Sequence, residues 1–494
     1  MKSRLSTWSI TVVLFAALAL PLSLTAQSTR YKLIDLGTFG GPNAVVNGPG
    51  VRDLSNSGGY AGYAETAIPD PYAPNCVNPE CLVYHAQKWQ KGVVTDLGSL
   101  PGVNSSAADG ISANSRFIVG GSENGLIDPL LGVPEMRAVV WTSDGHIHNL
   151  GTLAGGTESG AISVNSQGEI IGFSNNTVAD PFSPAGTQTR ALLWHNGTVR
   201  DIGTLGGPDA FVLLINEHGQ VTGQSYTSSS PNADNGPDCP PGVPTLDPFL
   251  WQNGSMTDIG TLGGTCGFPS RLNNRGQVVG DSFLADNQTV HPFFWDRGVL
   301  TDIGTLGGTN GEALDLSDSG LVVGRADLAD GTHHAFVWKN GVMTDVGVVP
   351  GDLCTNGRAI NSRGQAIGTS TDCMGNVQHM FLWENGSVHD LTAMILPGSD
   401  IDVFEAWDIN DRGEIAAVGM LPNGDQHAVL LVPASEEEIV AANAINVSQP
   451  RSAMHRLVRN ADNLVSSSRN SALNMFRRVR PRAVAATGSE QSPK

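Results

Sequence analysis

The sequence predicts an all-β fold: a β-propeller of eight four-stranded blades, closed by pairing its N-terminal strand with the C-terminal sheet and followed by a short helical tail. Three observations predict it. The phrase Asp-Ile-Gly-Thr-Leu-Gly-Gly stands intact at residues 201–207, 258–264 and 302–308, with looser copies beginning at Asp35, Asp96, Asn149, Asp345 and Asp390. An apolar run ending in Trp recurs at Trp89, Trp141, Trp194, Trp251, Trp295, Trp338 and Trp383. The chain holds 60 Gly and only 15% charged residues without a collagen period, which suits many short strands joined by tight turns. Self-similarity at a fixed period means that one unit builds the whole.

Residues 1–26 read as a secretory signal peptide. Lys2 and Arg4 precede an apolar stretch over 12–24, and Leu24-Thr25-Ala26 supplies small residues before Gln27. No other segment offers the ~20 continuous apolar residues of a spanning helix. The expected product is exported, secreted or at the cell surface with the periplasm as the alternative, and carries no integral membrane span in its mature form.

The repeats occupy residues 31–433. In one unit Ala359-Ile360-Asn361 reads as strand A, 361–364 as a turn, 365–368 as strand B, 379–383 as strand C, and 387–391 as strand D, with Asn385-Gly386 as a hairpin signal between C and D. The A–B turn recurs at Asn56, Asn165, Asn216, Asn273, Ser317, Asn361 and Asn410, with a degraded copy around 113–120. Eight A-B-C sets and eight D strands result, out of phase by one. The first D strand, 31–35, precedes every set, and the last set, 407–431, has no D after it. A ring resolves both ends at once, because the first strand completes the last sheet and removes the exposed edge.

His334-Ala335-Phe336-Val337-Trp338, coupled to the Asp-Ile-Gly-Thr-Leu-Gly-Gly phrase, resembles the HAF repeat family of extracellular bacterial proteins over residues 31–431. The resemblance implies export rather than a defined activity. Arg137 and Arg190 stand in the His place, and Pro248 and Pro292 in the Ala place.

Alternating strand direction puts the D–A and B–C loops on one face and the tight A–B and C–D turns on the other. The first, the loop face, collects the length variation: residues 63–83, 121–136, 173–189 and 224–246 are long B–C loops of blades 1–4. Within them recurs Asp-Pro followed by an apolar residue: Asp70-Pro71-Tyr72, Asp128-Pro129-Leu130 and Asp180-Pro181-Phe182. Such a motif sets a turn and presents a carboxylate beside an apolar group, so Asp70, Tyr72, Asp128, Asp180, Phe182 and Tyr226 are the candidate ligand-face residues. Stiff loops packed on each other are the competing reading. All six Cys fall on this face, and an even count in an exported chain points to disulfides. Ring geometry selects Cys76–Cys81, Cys239–Cys266 and Cys354–Cys373.

Other constellations read as scaffold. The Gly-rich phrase lacks the Lys-Ser/Thr of a phosphate loop and opens a strand, so it is a turn. His85, His291, His334, His379 and His427 share one position in strand C, with the periodic Asp of strand D as the expected partner. The Trp series is expected between blades. No cofactor is expected; the acidic loop at 327–330 is a weak calcium candidate that departs from the Asp-x-Asp-x-Asp-Gly spacing. No catalytic motif appears, although acids from separate blades can converge at the channel mouth.

Residues 434–494 leave the repeat and hold nine of the 28 Lys/Arg and five of the 47 Asp/Glu. The rest of the chain, without Lys2 and Arg4 of the leader, carries 17 basic and 42 acidic residues, a net charge of −25. Nucleic acid is therefore a poor partner. Ser435 before three Glu marks a helix start. Further on, Met454, Leu457, Val458, Ala461, Leu464 and Val465 recur at helical spacing before the cluster Arg477, Arg478, Arg480 and Arg482. This basic tail reads either as an anchor for anionic surfaces or as a segment docking on the acidic propeller. The expected function is binding of a glycan, peptide or cell-surface polymer on the loop face. An extracellular hydrolase or lyase with acids at the channel mouth, or a purely structural surface protein, are the alternatives.

Overall fold

A computed structural model describes residues 29–446 except 48–51, 75, 77–79, 129–131, 184–185, 235–238 and 240–241. The signal peptide and most of the basic tail lie outside the described residues.

Eight antiparallel A-B-C-D meanders follow one another around a ring. In blade 6 the strands are Gly307–Leu316, Val322–Leu328, His333–Lys339 and Val342–Asp345. Blades 4 and 5 touch through one parallel bridge, Leu246 to Cys266, and the other blades are separate four-stranded sheets. The eighth is built from both ends of the chain. Tyr31–Asp35 pairs antiparallel with Gln426–Pro433, Tyr31 opposite Pro433 and Asp35 opposite Val429. The offset of D strands against A-B-C sets is this closure. A short helix, α1 (Leu391–Met394), and a second, α2 (Glu436–Asn446), complete the described chain.

The repeated phrase is the D–A loop, and its chemistry explains its residues. The Asp side chain accepts a hydrogen bond from the N–H two residues on: Asp201 from Gly203 at 2.9 Å, Asp258 from Gly260 at 2.7 Å, Asp302 from Gly304 at 2.8 Å. That Gly takes φ of +77° to +90° in these copies, a conformation in which a Cβ is strained. The last Gly of the phrase lies so close to the neighbouring strand that a Cβ on Gly308 would sit 2.5 Å from the Leu328 carbonyl oxygen.

Strand C is explained as directly. His291 Nδ1 lies 2.9 Å from Asp302 and His334 Nδ1 2.8 Å from Asp345. Blade 7 departs from the expectation: His379 pairs with Asp352 at 2.8 Å, because Asp390 instead caps α1. Ala and Phe of the motif are fully buried, as Ala335 and Phe336 are. The Ala N–H crosses to the next blade, from Ala86 to Ser106 Oγ at 3.0 Å and from Ala335 to Thr355 Oγ1 at 2.9 Å. Where Pro248 and Pro292 replace Ala this donor is gone, and the facing residues are Gly267 and Gly311. A Cβ there would meet the proline Cδ at 2.9 and 3.0 Å. Pro with Gly thus substitutes for Ala with Ser or Thr.

The core lies between blades. Ile162 and Ile171 of blade 3 pack with Val212, Val221, Phe249 and Trp251 of blade 4, and the other joints repeat this pattern. Six of the seven repeat Trp residues are at most 8% exposed. A polar belt on the turn face joins blade to blade. Asn165 donates to the Asn216 carbonyl, Asn216 to that of Asn273, Asn273 to that of Ser317, Asn361 to that of Asn410, and Asn410 to that of Ser55. Ser317 cannot continue the belt to blade 7, and there Asp315 accepts from the Ile360 N–H at 2.8 Å instead.

Candidate functional site

The D–A and B–C loops share one face, and the three predicted disulfides tie it down: Cys76–Cys81, Cys239–Cys266 and Cys354–Cys373. The ligand-face carboxylates are corrected. Asp70, Asp128 and Asp180 are 5%, 1% and 2% exposed, so they are not presented on the rim. Asp70 and Asp180 accept from the N–H of Tyr72 and Phe182 at 2.8 and 2.9 Å, which closes an Asx turn across each proline. Asp128 accepts from Thr157 Oγ1 of the next blade at 2.8 Å; Pro129 and Leu130 lie outside the described residues. Tyr226 is 3% exposed, and Phe182 packs edge-on against it at 6.3 Å, so these two rings serve the core. Tyr72 is half-exposed.

The Asp-Pro motif is the end of a longer unit, which reads Glu-Thr-Ala-Ile-Pro-Asp from Glu65, Glu-Asn-Gly-Leu-Ile-Asp from Glu123 and Asn-Asn-Thr-Val-Ala-Asp from Asn175. Its first side chain is buried and accepts from strand A: Glu65 from Asn43 N–H, Glu123 from Ser105 N–H, Asn175 from Glu158 N–H. Its second accepts from the N–H of the fourth, Thr66 from Ile68, Asn124 from Leu126 and Asn176 from Val178, at 2.9 to 3.1 Å. Each segment is therefore an arch pinned at both feet, and what its crown shows to solvent is uncharged and mostly aliphatic. Ile68, Leu126 and Val178 are 47%, 58% and 52% exposed, and Ile127 beside them is 47%. Every exposed residue of the three arches is uncharged.

The same loops in blades 5–8 are short hairpins, and each carries an Asp: Asp286, Asp330, Asp372 and Asp425. Hydrogen bonds from the Thr289 hydroxyl and backbone N–H groups hold Asp286 down to about 2; Asp330 and Asp372 are lowered for the same kind of reason. Outside blade 4 the B–C loops are thus of two kinds, three arches with aliphatic crowns and four hairpins that carry an Asp, the hairpin of blade 7 also exposing Met374.

The channel has its own charged group at the turn-face end. Arg271 Nε meets Asp315 at 2.6 Å, Asp408 accepts from the Leu54 N–H at 3.1 Å, and Asp53 from Asn47 Nδ2 at 2.7 Å. Burial, and for Asp53 the nearby Asp408, push both Asp53 and Asp408 above the usual carboxylate range. A cavity of about 70 Å³ opens there, lined by blades 1 and 5–8. Asp315 and Asp408 each staple one blade to the next, 6 to 7 and 8 to 1. At the calcium candidate, Asp327 accepts from the Asn310 N–H and Asp330 from Thr332. Among the described residues no group of three or more His, Cys, Asp or Glu is placed to hold a metal ion.

These features define a ring-closed, eight-bladed β-propeller with a disulfide-tied loop face. No family model and no curated protein matches the sequence. Among solved structures the chain is similar to the β-propeller domain of the Trilobed protease from Pyrococcus furiosus, at 10% identity and a TM-score of 0.41 over 71% of this chain and 98% of that one. It is also similar to the acylaminoacyl peptidase of Pyrococcus horikoshii, at 10% identity and a TM-score of 0.38 over 76% of this chain and 57% of that one. An oligogalacturonate lyase solved in complex with manganese matches at 10% identity and 0.38 over 83% and 95%. The likeness concerns architecture, and none of these activities passes to this chain.

Proposed function

We propose that this chain is an exported binding protein of the HAF-repeat kind that captures extended peptide segments on the arches of blades 1–3. One observation carries the reading: in a chain whose body bears a charge of −25, three consecutive blades expose an aliphatic residue at the same position of the same pinned arch, and every exposed residue of the arch itself is uncharged. Contiguous exposed apolar surface on a rigid support is the usual mark of an interaction site. Aliphatic crowns suit apolar side chains of a peptide better than the faces of sugars, which favours peptide over glycan. Three disulfides fit an oxidising, extracellular compartment.

The hydrolase reading has less support. Acids of blades 1, 6 and 8 do converge, but on the turn face, beside a small cavity, and with Asp315 and Asp408 committed to backbone N–H groups of neighbouring blades.

Selection of a random peptide library on the mature protein tests the proposal, with a glycan array alongside. Enrichment of uncharged, aliphatic-rich peptides by the wild type and its loss in Ile68→Ser/Leu126→Ser/Val178→Ser is the expected result. Enrichment indifferent to the triple substitution, or binding confined to glycans, would overturn it.

A further inference from the structure

Resting on that reading of the arches, we infer that the occupant of the loop face in the isolated protein is the chain's own C-terminal segment, residues 451–482, folded back in cis as a built-in pseudo-ligand. The face asks for a particular chemistry. Its crowns at Ile68, Leu126 and Val178 are apolar, and the ring continues from them to ionised tips at Asp286, Asp330 and Asp372. The arginines on this side are engaged: Arg137 with Glu135, Arg190 with Asp201, Arg325 with Glu312, and Arg358 beside Glu405. A matching partner is a segment with an apolar stretch and a run of cations.

The sequence beyond the described residues has that composition. Met454, Leu457, Val458 and Leu464 supply the apolar part, and Arg477, Arg478, Arg480 and Arg482 the cationic part. Residues 447–494 hold nine basic and two acidic residues, opposite in sign to the propeller body.

Length permits the contact. α2 leaves blade 8 at the turn-face end of its third strand, where Glu438 pairs with Lys32 at 2.9 Å, so the segment has to run the height of the ring to reach the loop face. The arginine cluster begins 31 residues after Asn446, the last described residue. Extended chain of that length reaches on the order of 100 Å, against about 36 Å for the longest strands of 11 residues. Attachment to the same chain supplies a high effective concentration, so even a weak contact is populated. The contact has an apolar component that salt leaves in place and an ionic component that salt screens.

The test is covalent footprinting of the arches in the full mature chain, compared with Arg477→Glu/Arg478→Glu/Arg480→Glu/Arg482→Glu, each at two protein concentrations. Labelling of Ile68, Leu126 and Val178 roughly five-fold lower in the wild type than in the variant, independent of protein concentration, is the expected result. A synthetic peptide of residues 451–482 added to the variant should restore the protection. Equal labelling in both chains would overturn the inference, as would protection that grows with concentration alongside a dimer in light scattering, which would make a second copy the occupant. Peptide-library enrichment by the charge-reversed variant keeps the two proposals apart: if it still requires the arches while footprinting shows no protection, only the tail is eliminated.

Discussion

His427 Nδ1 lies 2.8 Å from Asp35 Oδ1 across 392 residues of sequence, and it reproduces at the seam of the ring the pair that His334 and Asp345 make within one blade. A hairpin joins His334 to its partner strand. Nothing covalent and local joins His427 to Asp35, so this contact reports on ring closure.

His427→Ala is accordingly expected to raise amide exchange in Tyr31–Asp35 and to cost about 1 kcal/mol of local stability, in the range of one side-chain hydrogen bond. His334→Ala, which removes the same contact inside a hairpin, should leave the exchange of Tyr31–Asp35 at its wild-type rate. Hydrogen exchange with mass spectrometry separates the two.

The Pro–Gly exchange at the Ala position predicts a coupled pair. Pro292→Ala restores a buried N–H facing Gly311, which offers no hydroxyl, and should destabilise by about 1–2 kcal/mol. Gly311→Ser alone puts a Cβ against the proline and should also destabilise. The double substitution recreates the Ala–Ser bond of other joints, so a denaturation cycle should show favourable coupling of at least ~1 kcal/mol.

Asp315→Ala removes an ion-pair partner of Arg271 and the acceptor of the Ile360 N–H at the joint where Ser317 interrupts the asparagine belt. Arg271 keeps Asp408 and Asp53 as further counter-charges, so the lost ion pair together with the unmet Ile360 N–H is expected to cost about 2–3 kcal/mol. Ser317→Asn in that background should recover part of it by extending the belt toward blade 7. Urea denaturation of the single and double variants measures both effects.

Buried carboxyls set the pH dependence. Burial raises Asp209 to about 8, with Asp180 beside it adding to the effect, and raises Glu123 and Asp247 to about 7. A carboxyl whose folded value lies above its unfolded value near 4 stabilises the fold at low pH, and that contribution is lost as pH rises through the folded value. The loss here runs from about pH 4 to pH 8. The exposed Asp286 and its neighbours work in the opposite sense, and their contribution is lost only as pH falls below about 4. Thermal stability should therefore peak near pH 4–5 and drop by roughly 5 °C or more by pH 9. Asp209→Asn should flatten the alkaline side of the profile.

The ring was legible in the sequence because its determinants are local and periodic. Asp302 with Gly304 sets a turn, Asn385-Gly386 a hairpin, and the unmatched strand at 31–35 finds its sheet at 426–433. The disulfides followed from placing loops on one face. Asp70, Asp128 and Asp180 were misplaced for a physical reason: an Asp before Pro reads the same whether it faces solvent or turns inward to its own backbone, and burial decides between them. The wider unit was present in the residues, as the recurrence of Ile68, Leu126 and Val178 two positions before each Asp. An aliphatic residue at such a place reads as core, and only the fold reveals that it points outward. The aspartate tips of blades 5–8 were likewise single residues in short turns, and their arrangement opposite the arches exists only once the ring has closed.

The most direct measurement is calorimetric. A peptide selected on the mature protein is titrated against the wild type and against Ile68→Ser/Leu126→Ser/Val178→Ser, with thermal unfolding recorded for both. The account predicts affinity at least ~10-fold weaker, about 1.4 kcal/mol, at an unchanged unfolding temperature, because the crowns are exposed and the arch feet are untouched. Equal affinity for the two proteins would contradict it and move the binding surface away from blades 1–3.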